Sequence, residues 1–380
     1  MLPRSPHRDS APLWIAAALA CAVLLCPSRP PSARSQPARA ASALHELNDC
    51  HLHLTNYVQD GPRLRDLLAT MGTRVRRAAV FGIPLQQKWS YPNSGNHAPT
   101  YYLNSDAPLY YYAFTDAHIA LEYLSLPKRD RARFDPMITG FNPSDMYATD
   151  HIRRVLLAFP GVFSGIGEFS IHKEFVSAKI ADGAPSLTDP ALDRVLAFAA
   201  EVGLVVLIHN DIDAPFAEPG AEPVYFEQMR ALLERHPDAT IIWAHTGLGR
   251  IVRHAQVSAE ATERAPTHLE ILEAMLADAA LAHVAFDISW DEVGKYAVSS
   301  PAVASRVAGI FNRYPDRFLF GTDTVAPAGP HPYYSVFDLW APIWKQLTPE
   351  ASLKVRRGNY ERVFDEGRRK VRAWENANVR

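Results

Sequence analysis

The sequence predicts an α/β fold, a single (β/α)8 TIM barrel with a long insertion after the second strand. From residue 41 onward, short apolar segments alternate with amphipathic helical patterns, which is the order expected of successive βα units. Several segments are continuous apolar runs, such as residues 205–208, and this is typical of parallel strands buried on both faces. The chain has eight predicted strands in all, which favours a closed barrel, with a doubly wound open sheet as the alternative. The predicted strands are residues 47–53, 77–83, 137–141, 162–168, 204–209, 240–245, 283–288 and 318–323.

Turn-forming residues mark helix boundaries between these strands. Asp189 followed by Pro190 is typical of a helix start, and Gly203 is typical of a helix end. Apolar residues three or four positions apart lie between them, as in a helix that packs one face on a sheet. Two further helical patterns occupy residues 226–233 and 269–279. The alternation of strands and helices therefore continues through the second half of the chain.

Residues 84–131 interrupt this alternation. The connection is too long for an ordinary loop between a strand and its helix, and it is rich in aromatic residues, most of them tyrosines. It follows the second strand, so it should leave the barrel at the carboxyl ends of the strands, where active sites lie in this architecture. We expect an insertion that forms a lid or a pocket wall. A subdomain that only packs or dimerises is an equally good interpretation.

The first forty residues are predicted to be a signal peptide and leader. Arg4 and Arg8 precede an uncharged apolar run over residues 11–26, and Ala38 and Ala40 form a small-x-small cleavage site. The run is too short for a comfortable membrane span, although an uncleaved anchor is the alternative. We therefore expect an exported protein, periplasmic or extracellular. Its mature part, residues 41–380, is expected to be one domain without a transmembrane span.

Charge and cysteine content narrow the partners of the mature chain. The full chain has a formal charge of −2, and cleavage after Ala40 would remove five basic residues and one acidic residue, leaving −6. This argues against a nucleic-acid partner, which needs a basic surface. Cys50 would be the only cysteine left, so no internal disulfide is expected. We expect a small-molecule substrate, and the sequence leaves open whether the chain forms a homo-oligomer.

The segment from Asp49 to His53 contains two histidines separated by one residue. Side chains two positions apart point to the same face of a strand, so His51 and His53 should lie together. Two neutral imidazoles side by side form half of a site for a divalent metal. Cys50 should point away from them, and packing in the core is the simplest role for it.

Four further polar residues end other predicted strands. Glu168 ends the fourth strand, His209 the fifth, His245 the sixth and Asp323 the eighth. Each alone has an ordinary structural explanation, such as a helix cap or a hydrogen-bonded core histidine. Because the carboxyl ends of barrel strands meet at one mouth, together they predict a metal site. Their donors suit zinc best, with manganese or iron as alternatives.

Asp323 is the candidate general base beside that metal. A bound metal lowers the pKa of its water so that hydroxide attacks near neutral pH, and a neighbouring carboxylate can take the proton. Lys173 and Arg250 are candidates for contact with an anionic substrate group. The alternative for Lys173 is a place in a solvated loop, and the alternative for Arg250 is a structural ion pair. Asp287 and Trp290 lie near the end of the seventh strand and are further candidates for the pocket.

This order of residues resembles the amidohydrolase superfamily of metal-dependent barrels. Three segments resemble its amidohydrolase-related branch, called family 2: residues 245–247 (His-Thr-Gly), 321–323 (Gly-Thr-Asp) and the tail 357–364. The resemblance implies that His51, His53 and Asp323 bind one metal, that His209 and His245 bind a second, and that Glu168 bridges them. Many members use a carboxylated lysine where this chain has Glu168. With a single metal, His209 would be its remaining histidine ligand and His245 would polarise the substrate carbonyl.

The predicted activity is that of a metal-dependent hydrolase acting on an ester, lactone or amide-type small molecule. One alternative is a single-metal non-oxidative decarboxylase of an aromatic or unsaturated acid, which the same branch contains. Another is a small phosphoesterase similar to the TatD-like deoxyribonucleases. If the protein is not an enzyme, the alternative is an exported barrel that binds metal or has a structural role.

Overall fold

The structure, a computed structural model, describes residues 45–214, 222–250 and 267–379. The predicted signal peptide and leader, residues 1–40, lie outside this part of the chain. None of the described helices is both long enough and apolar enough to cross a bilayer. The described strands are β1 (Leu47–His53), β2 (Val75–Phe81), β3 (Leu85–Gln87), β4 (Leu109–Tyr111), β5 (Phe134–Ile138), β6 (Gly165–Ser170), β7 (Val205–His209), β8 (Thr240–Trp243), β9 (Val284–Asp287), β10 (Phe318–Leu319) and β11 (Thr324–Val325).

Helices alternate with most of these strands, as the sequence predicts. They are α1 (Leu64–Met71), α2 (Tyr91–Ser94), α3 (Phe114–Ser125), α4 (Lys128–Arg131), α5 (Ala148–Ala158), α6 (Glu174–Ser177), α7 (Pro190–Val202), α8 (Phe226–Arg235), α9 (His268–Ala277), α10 (Asp291–Ala297), α11 (Pro301–Arg313), α12 (Pro330–Leu339), α13 (Ala341–Trp344), α14 (Pro349–Leu353) and α15 (Asn359–Asn378).

One parallel sheet forms the wall of a barrel. Its strand order is β10-β9-β8-β7-β6-β5-β2-β1-β11. β10 and β11 lie at opposite ends of this order, yet only residues 320–323 separate them in the chain. The Cys50 amide donates to the Phe320 carbonyl (3.0 Å) and the Asp323 amide to the His51 carbonyl (2.8 Å). The segment from β10 to β11 is therefore the eighth barrel strand and closes the sheet onto β1, which confirms the predicted barrel.

Several strand ends differ from the sequence prediction, among them both ends of β2 and of β6. The third barrel strand, β5, begins at Phe134 rather than at residue 137. The sixth ends at Trp243, because His245 and Thr246 adopt left-handed backbone angles within a short 3₁₀ turn (φ 55° and 54°). The eighth is broken at Asp323, where φ is 53°. Left-handed residues end a strand because they turn the chain out of the extended conformation, and their positions cannot be read from an apolar run.

Residues 84–131 contain two different structures. β3 and β4 pair as an antiparallel hairpin outside the barrel sheet. The helix α3 instead packs on β2 and β5, so it is the helix of the second βα unit rather than part of an insertion. The sequence prediction assigned α3 to the insertion because the aromatic residues before it continue into its first turn. The material added to the barrel thus precedes Phe114.

Apolar side chains form one core inside the barrel and another between the barrel and its helices. Cys50 belongs to the interior core, together with Phe81, Met137 and Leu207. It is fully buried with a free thiol. Alternate residues of β7 face the two cores, since Val206 and Ile208 pack in the outer one. The continuous apolar runs in the sequence reflect burial on both faces.

The C-terminal segment closes the base of the barrel. The Asn359 side chain donates to the carbonyls of Pro315 (2.7 Å) and Phe318 (2.8 Å), and Asn48 donates to the Arg357 carbonyl (3.2 Å). These bonds hold the start of α15 against β1 and β10.

A buried ion pair links two strands to α15 at this base. Asp135 on β5 is fully buried, and it accepts from Arg77 Nε (3.0 Å) and Nη2 (3.0 Å) and from the Tyr360 hydroxyl (2.7 Å). Arg368 on α15 also donates to Asp135. The carboxylate therefore connects the second and third barrel strands to the closing helix.

We expect Asp135→Asn to lower the free energy of unfolding by about 3–5 kcal/mol, because it leaves the buried Arg77 guanidinium with only the exposed Asp365 carboxylate as a counter-charge. Tyr360→Phe removes one hydrogen bond and should cost about 1 kcal/mol. Urea unfolding followed by circular dichroism measures both. If Asp135→Asn costs no more than Tyr360→Phe, the ion pair does not hold the base together.

Candidate metal centre

Two histidines and two carboxylates meet at the mouth of the barrel. His51 Nε2 lies 3.2 Å from His53 Nε2 and 3.2 Å from Asp323 Oδ1. His53 Nε2 lies 3.1 Å from Asp323 Oδ1 and 3.1 Å from Glu168 Oε2. The histidines and Glu168 are buried, and the Asp323 side chain is 12% exposed. All four ligand atoms lie within 4.8 Å of one another, close enough to share one ion.

Asp287 on β9 fixes the orientation of the first histidine. Its Oδ2 lies 2.6 Å from His51 Nδ1, so that nitrogen carries a proton and donates it. When the ring is neutral, its Nε2 then presents a lone pair. This lone pair faces the Asp323 carboxylate, and the arrangement is unfavourable unless a positive charge lies between them. The buried donors therefore fit a cation.

A second group of ligand atoms adjoins the first. Glu168 Oε1 lies 2.5 Å from His209 Nδ1 and 3.9 Å from His245 Nε2. His209 Nε2 lies 3.0 Å from Asp211 Oδ1, so Asp211 orients this ring as Asp287 orients His51. His245 Nε2 is buried without a hydrogen-bond partner among the described residues. An unpaired buried nitrogen is unfavourable, and a second cation would satisfy it.

The residue before Glu168 is a glycine that lies tightly against β7. Gly167 has φ 115°, and a Cβ placed there would lie 2.1 Å from the Leu207 carbonyl oxygen. Only glycine fits this position. Gly321 plays a similar part in the eighth strand, since a Cβ there would lie 2.7 Å from the His51 Cβ. The two glycines let the strands that carry ligands approach each other.

The structure thus brings together all six residues that the sequence placed at strand ends: His51, His53, Glu168, His209, His245 and Asp323.

Comparison with known proteins identifies the family. A sequence model of the amidohydrolase family matches residues 48–365. This chain belongs to the amidohydrolase family. No curated protein matches it in sequence.

Solved structures similar to this amidohydrolase share little sequence with it. A zinc-bound amidohydrolase from Burkholderia multivorans is 12% identical with a TM-score of 0.51, covering 84% of this chain and 99% of that one. A putative 2-pyrone-4,6-dicarboxylic acid hydrolase from Pseudomonas putida is 12% identical (TM-score 0.49; 85% and 99% covered). A 2,6-dihydroxybenzoate decarboxylase from Rhizobium is 14% identical (TM-score 0.47; 84% and 99% covered). The first of these likenesses supports the barrel fold.

The electrostatics of the amidohydrolase centre also favour bound positive charge. Burial opposes ionisation of Asp323, but His51 and His53 outweigh it and hold the pKa of this carboxyl well below its usual value. Burial likewise opposes protonation of His51, but Asp287 and Asp323 raise its pKa well above the ordinary range. Burial lowers the pKa of His245 to about 4. His245 is therefore neutral near pH 7, and its free nitrogen is available as a ligand.

A cavity of about 390 Å³ opens above the metal centre. Tyr101 and Tyr102, from the segment between β3 and β4, form part of its wall. Lys173 and Arg250 also line the cavity, and each already has a carboxylate partner. Lys173 Nζ lies 2.9 Å from Glu168 Oε1, and Arg250 Nε lies 2.8 Å from Glu174 Oε2. The structural ion pair, the alternative role for Arg250, is thus present. The lining residues are His53, Tyr57, Ile83, Tyr101, Tyr102, Lys173, Glu174, His209, His245, Arg250, Trp290, Asp291, Glu292, Lys295, Asp323 and Val325.

The sequence offered Asp287 as a candidate for the pocket but did not reveal which residues orient the ligands. Besides Asp287 and Asp211, the buried Asp49 accepts from the His51 amide (3.0 Å), the Thr322 amide (2.9 Å) and the Thr322 hydroxyl (2.7 Å). It thereby joins β1 to the eighth strand beside the ligands. The only available signal was the position of each aspartate at or near a strand end, and that signal does not say which partner lies across the barrel.

We expect Asp287→Asn to weaken metal binding by about 10- to 100-fold. The Ser289 amide donates to Oδ1, so the new NH2 group would face His51 Nδ1 in place of the oxygen that fixes the tautomer and orientation of this ring. Competition with a chromophoric chelator measures the dissociation constant. Asp66→Asn, at an exposed position on α1, is the matched control. An affinity for Asp287→Asn within twofold of the Asp66→Asn value would contradict this role.

Proposed function

We propose that this protein is a metal-dependent hydrolase that acts on a small molecule with an ester, lactone or amide-type bond. The observation that carries the proposal is the placement of Glu168 between two ligand groups. One of its oxygens lies 3.1 Å from His53 Nε2, and the other lies 2.5 Å from His209 Nδ1. A carboxylate in this position can bridge two cations, an arrangement suited to hydrolysis.

The donor set fits zinc best, because imidazole and carboxylate ligands suit this ion. His51, His53 and Asp323 would hold one ion, and His209 and His245 the other. Bound cations would lower the pKa of a water molecule and polarise the bond to be cleaved.

Asp323 is the residue placed to move the proton. Its Oδ1 faces the two histidines of β1, while its Oδ2 lies 3.9 Å from His245 Nε2. Asp323 also lines the cavity, so it is within reach of water and substrate. It accepts the proton of the attacking water and returns it to the leaving group, as a general base and then a general acid.

Lys173 supports this arrangement from the side. Burial opposes its charge, but Glu168 outweighs burial and raises the pKa of Lys173 above its usual value. The ammonium therefore stays charged, and it holds one Glu168 oxygen in place through a 2.9 Å contact.

Metal analysis combined with a substrate panel tests the proposal. The purified protein is loaded with zinc, its metal content is measured by elemental analysis, and esters, lactones, amides, phosphoesters and aromatic carboxylic acids are offered. We expect two zinc ions per chain, hydrolysis of an ester, lactone or amide, and loss of activity with a chelator. One metal with carbon dioxide release would instead indicate a decarboxylase, and hydrolysis of phosphoesters alone a phosphoesterase.

Glu168→Gln should reduce the bound zinc to about one ion per chain and lower kcat by at least about 10³-fold, because the amide is a weaker bridging ligand. Elemental analysis and steady-state kinetics on the same sample measure both effects. Glu201→Gln, exposed at the end of α7, is the control and should keep the activity. Two ions and unchanged kcat in Glu168→Gln would contradict the bridging role.

A further inference from the structure

The cavity wall provides no cation that lacks a carboxylate partner, among the described residues. Three cationic side chains line the cavity: Lys173, Arg250 and Lys295. Lys173 contacts Glu168 at 2.9 Å. On α10, Lys295 contacts Asp291 at 2.6 Å and Glu292 at 3.1 Å. Arg250 contacts Glu174. A substrate carboxylate would therefore compete with a carboxylate of the protein at each cation.

We call the charged part of the cavity lining the outer wall: Glu174, Arg250, Asp291, Glu292 and Lys295. Glu174 is its most buried member. The Glu174 side chain is 3% exposed and that of Arg250 is 28% exposed. Glu174 Oε2 accepts from Arg250 Nε (2.8 Å) and from the Tyr102 hydroxyl (2.7 Å). Its other oxygen is buried without a hydrogen-bond partner among the described residues. Glu174 thus neutralises the charge of Arg250, and its second oxygen remains as an acceptor without a donor among the described residues.

Aromatic rings line the same part of the cavity. The guanidinium carbon of Arg250 lies 5.0 Å from the centre of the Trp290 ring. The Tyr101 and Tyr102 rings are 4.4 Å apart, and Tyr57 lies 5.5 Å from Tyr102. Such rings bind flat or cyclic uncharged groups through their faces and edges.

We propose that the substrate of this hydrolase is uncharged where it meets the outer wall, and that Glu174 excludes carboxylate-bearing analogues by neutralising Arg250. This inference rests on the proposed function and names the substrate class within it. Among the described residues, two cations, Arg250 and Lys295, share the outer wall with three carboxylates, Glu174, Asp291 and Glu292. An anion entering there loses hydration and meets like charges nearby, and both effects weaken its binding.

Two hydroxamates that differ in one carboxylate test this selectivity without turnover. Benzohydroxamate and 4-carboxybenzohydroxamate present the same group to a metal, and only the second has a negative charge at its far end. Titration calorimetry on the zinc-loaded protein should show benzohydroxamate binding at least about tenfold more tightly, the scale of one like-charge contact at a partly exposed site. Equal binding, tighter binding of the carboxylated compound, or binding of neither would overturn the proposal.

Glu174→Gln should lower the ratio of the two dissociation constants, carboxylated over neutral hydroxamate, by about tenfold, because it releases Arg250 to pair with the ligand carboxylate. Arg250→Gln should raise this ratio instead, since it leaves the charge of Glu174 without its partner. The second variant keeps the test decisive if the first fails to fold. Circular dichroism and zinc content identify folded protein, and Glu201→Gln should bind both compounds as the wild type does. A ratio that neither folded variant changes would overturn the role of Glu174.

Binding and hydrolysis fail independently in this design. Selective hydroxamate binding without hydrolysis of any compound in the panel would refute the hydrolase proposal and leave the charge selectivity standing. Hydrolysis without selectivity for the neutral hydroxamate would support the hydrolase proposal and refute the charge selectivity.

Discussion

Buried electron-pair donors that face one another at the barrel mouth impose the main constraint on this structure. His51, His53, Glu168 and Asp323 bring four ligand atoms within 4.8 Å of one another, almost entirely shielded from water. Such a group is stable only with positive charge among its members. In the protein alone, protons on the histidines can supply that charge. With divalent cations bound, the lone pairs and carboxylates would serve as ligands, and under the proposed function the same geometry would activate water.

The fold meets this constraint by bringing strands close together and by ending them abruptly. Glycines at 167 and 321 remove the Cβ atoms that would separate neighbouring strands. Left-handed residues at the ends of the sixth and eighth strands, His245 and Asp323, turn their side chains out of the strand pattern. Positive φ at a residue other than glycine costs of order 1–3 kcal/mol. The barrel therefore concentrates backbone strain where its ligand groups lie, while Asp135 and α15 secure the opposite end.

Local patterns in the sequence explain why the ligand residues could be predicted. Alternation along β1 puts His51 and His53 together, and apolar runs locate the strand ends that carry the other four. Partners across the barrel could not be predicted in this way. Asp287 contacts His51 across 236 positions of sequence, and nothing near Asp287 indicates that contact. An ion pair was one of the two roles considered for Arg250, but its partner Glu174 could not be named, since the two residues follow different strands.

The location of bound metal tests the central claim most directly. Crystals of the zinc-loaded protein, measured on both sides of the zinc absorption edge, would show each ion as an anomalous peak. The account predicts two peaks at the carboxyl ends of the strands: one among His51, His53 and Asp323, the other beside His209 and His245, with Glu168 between them. No peak at the barrel mouth, or zinc bound only elsewhere on the chain, would contradict it.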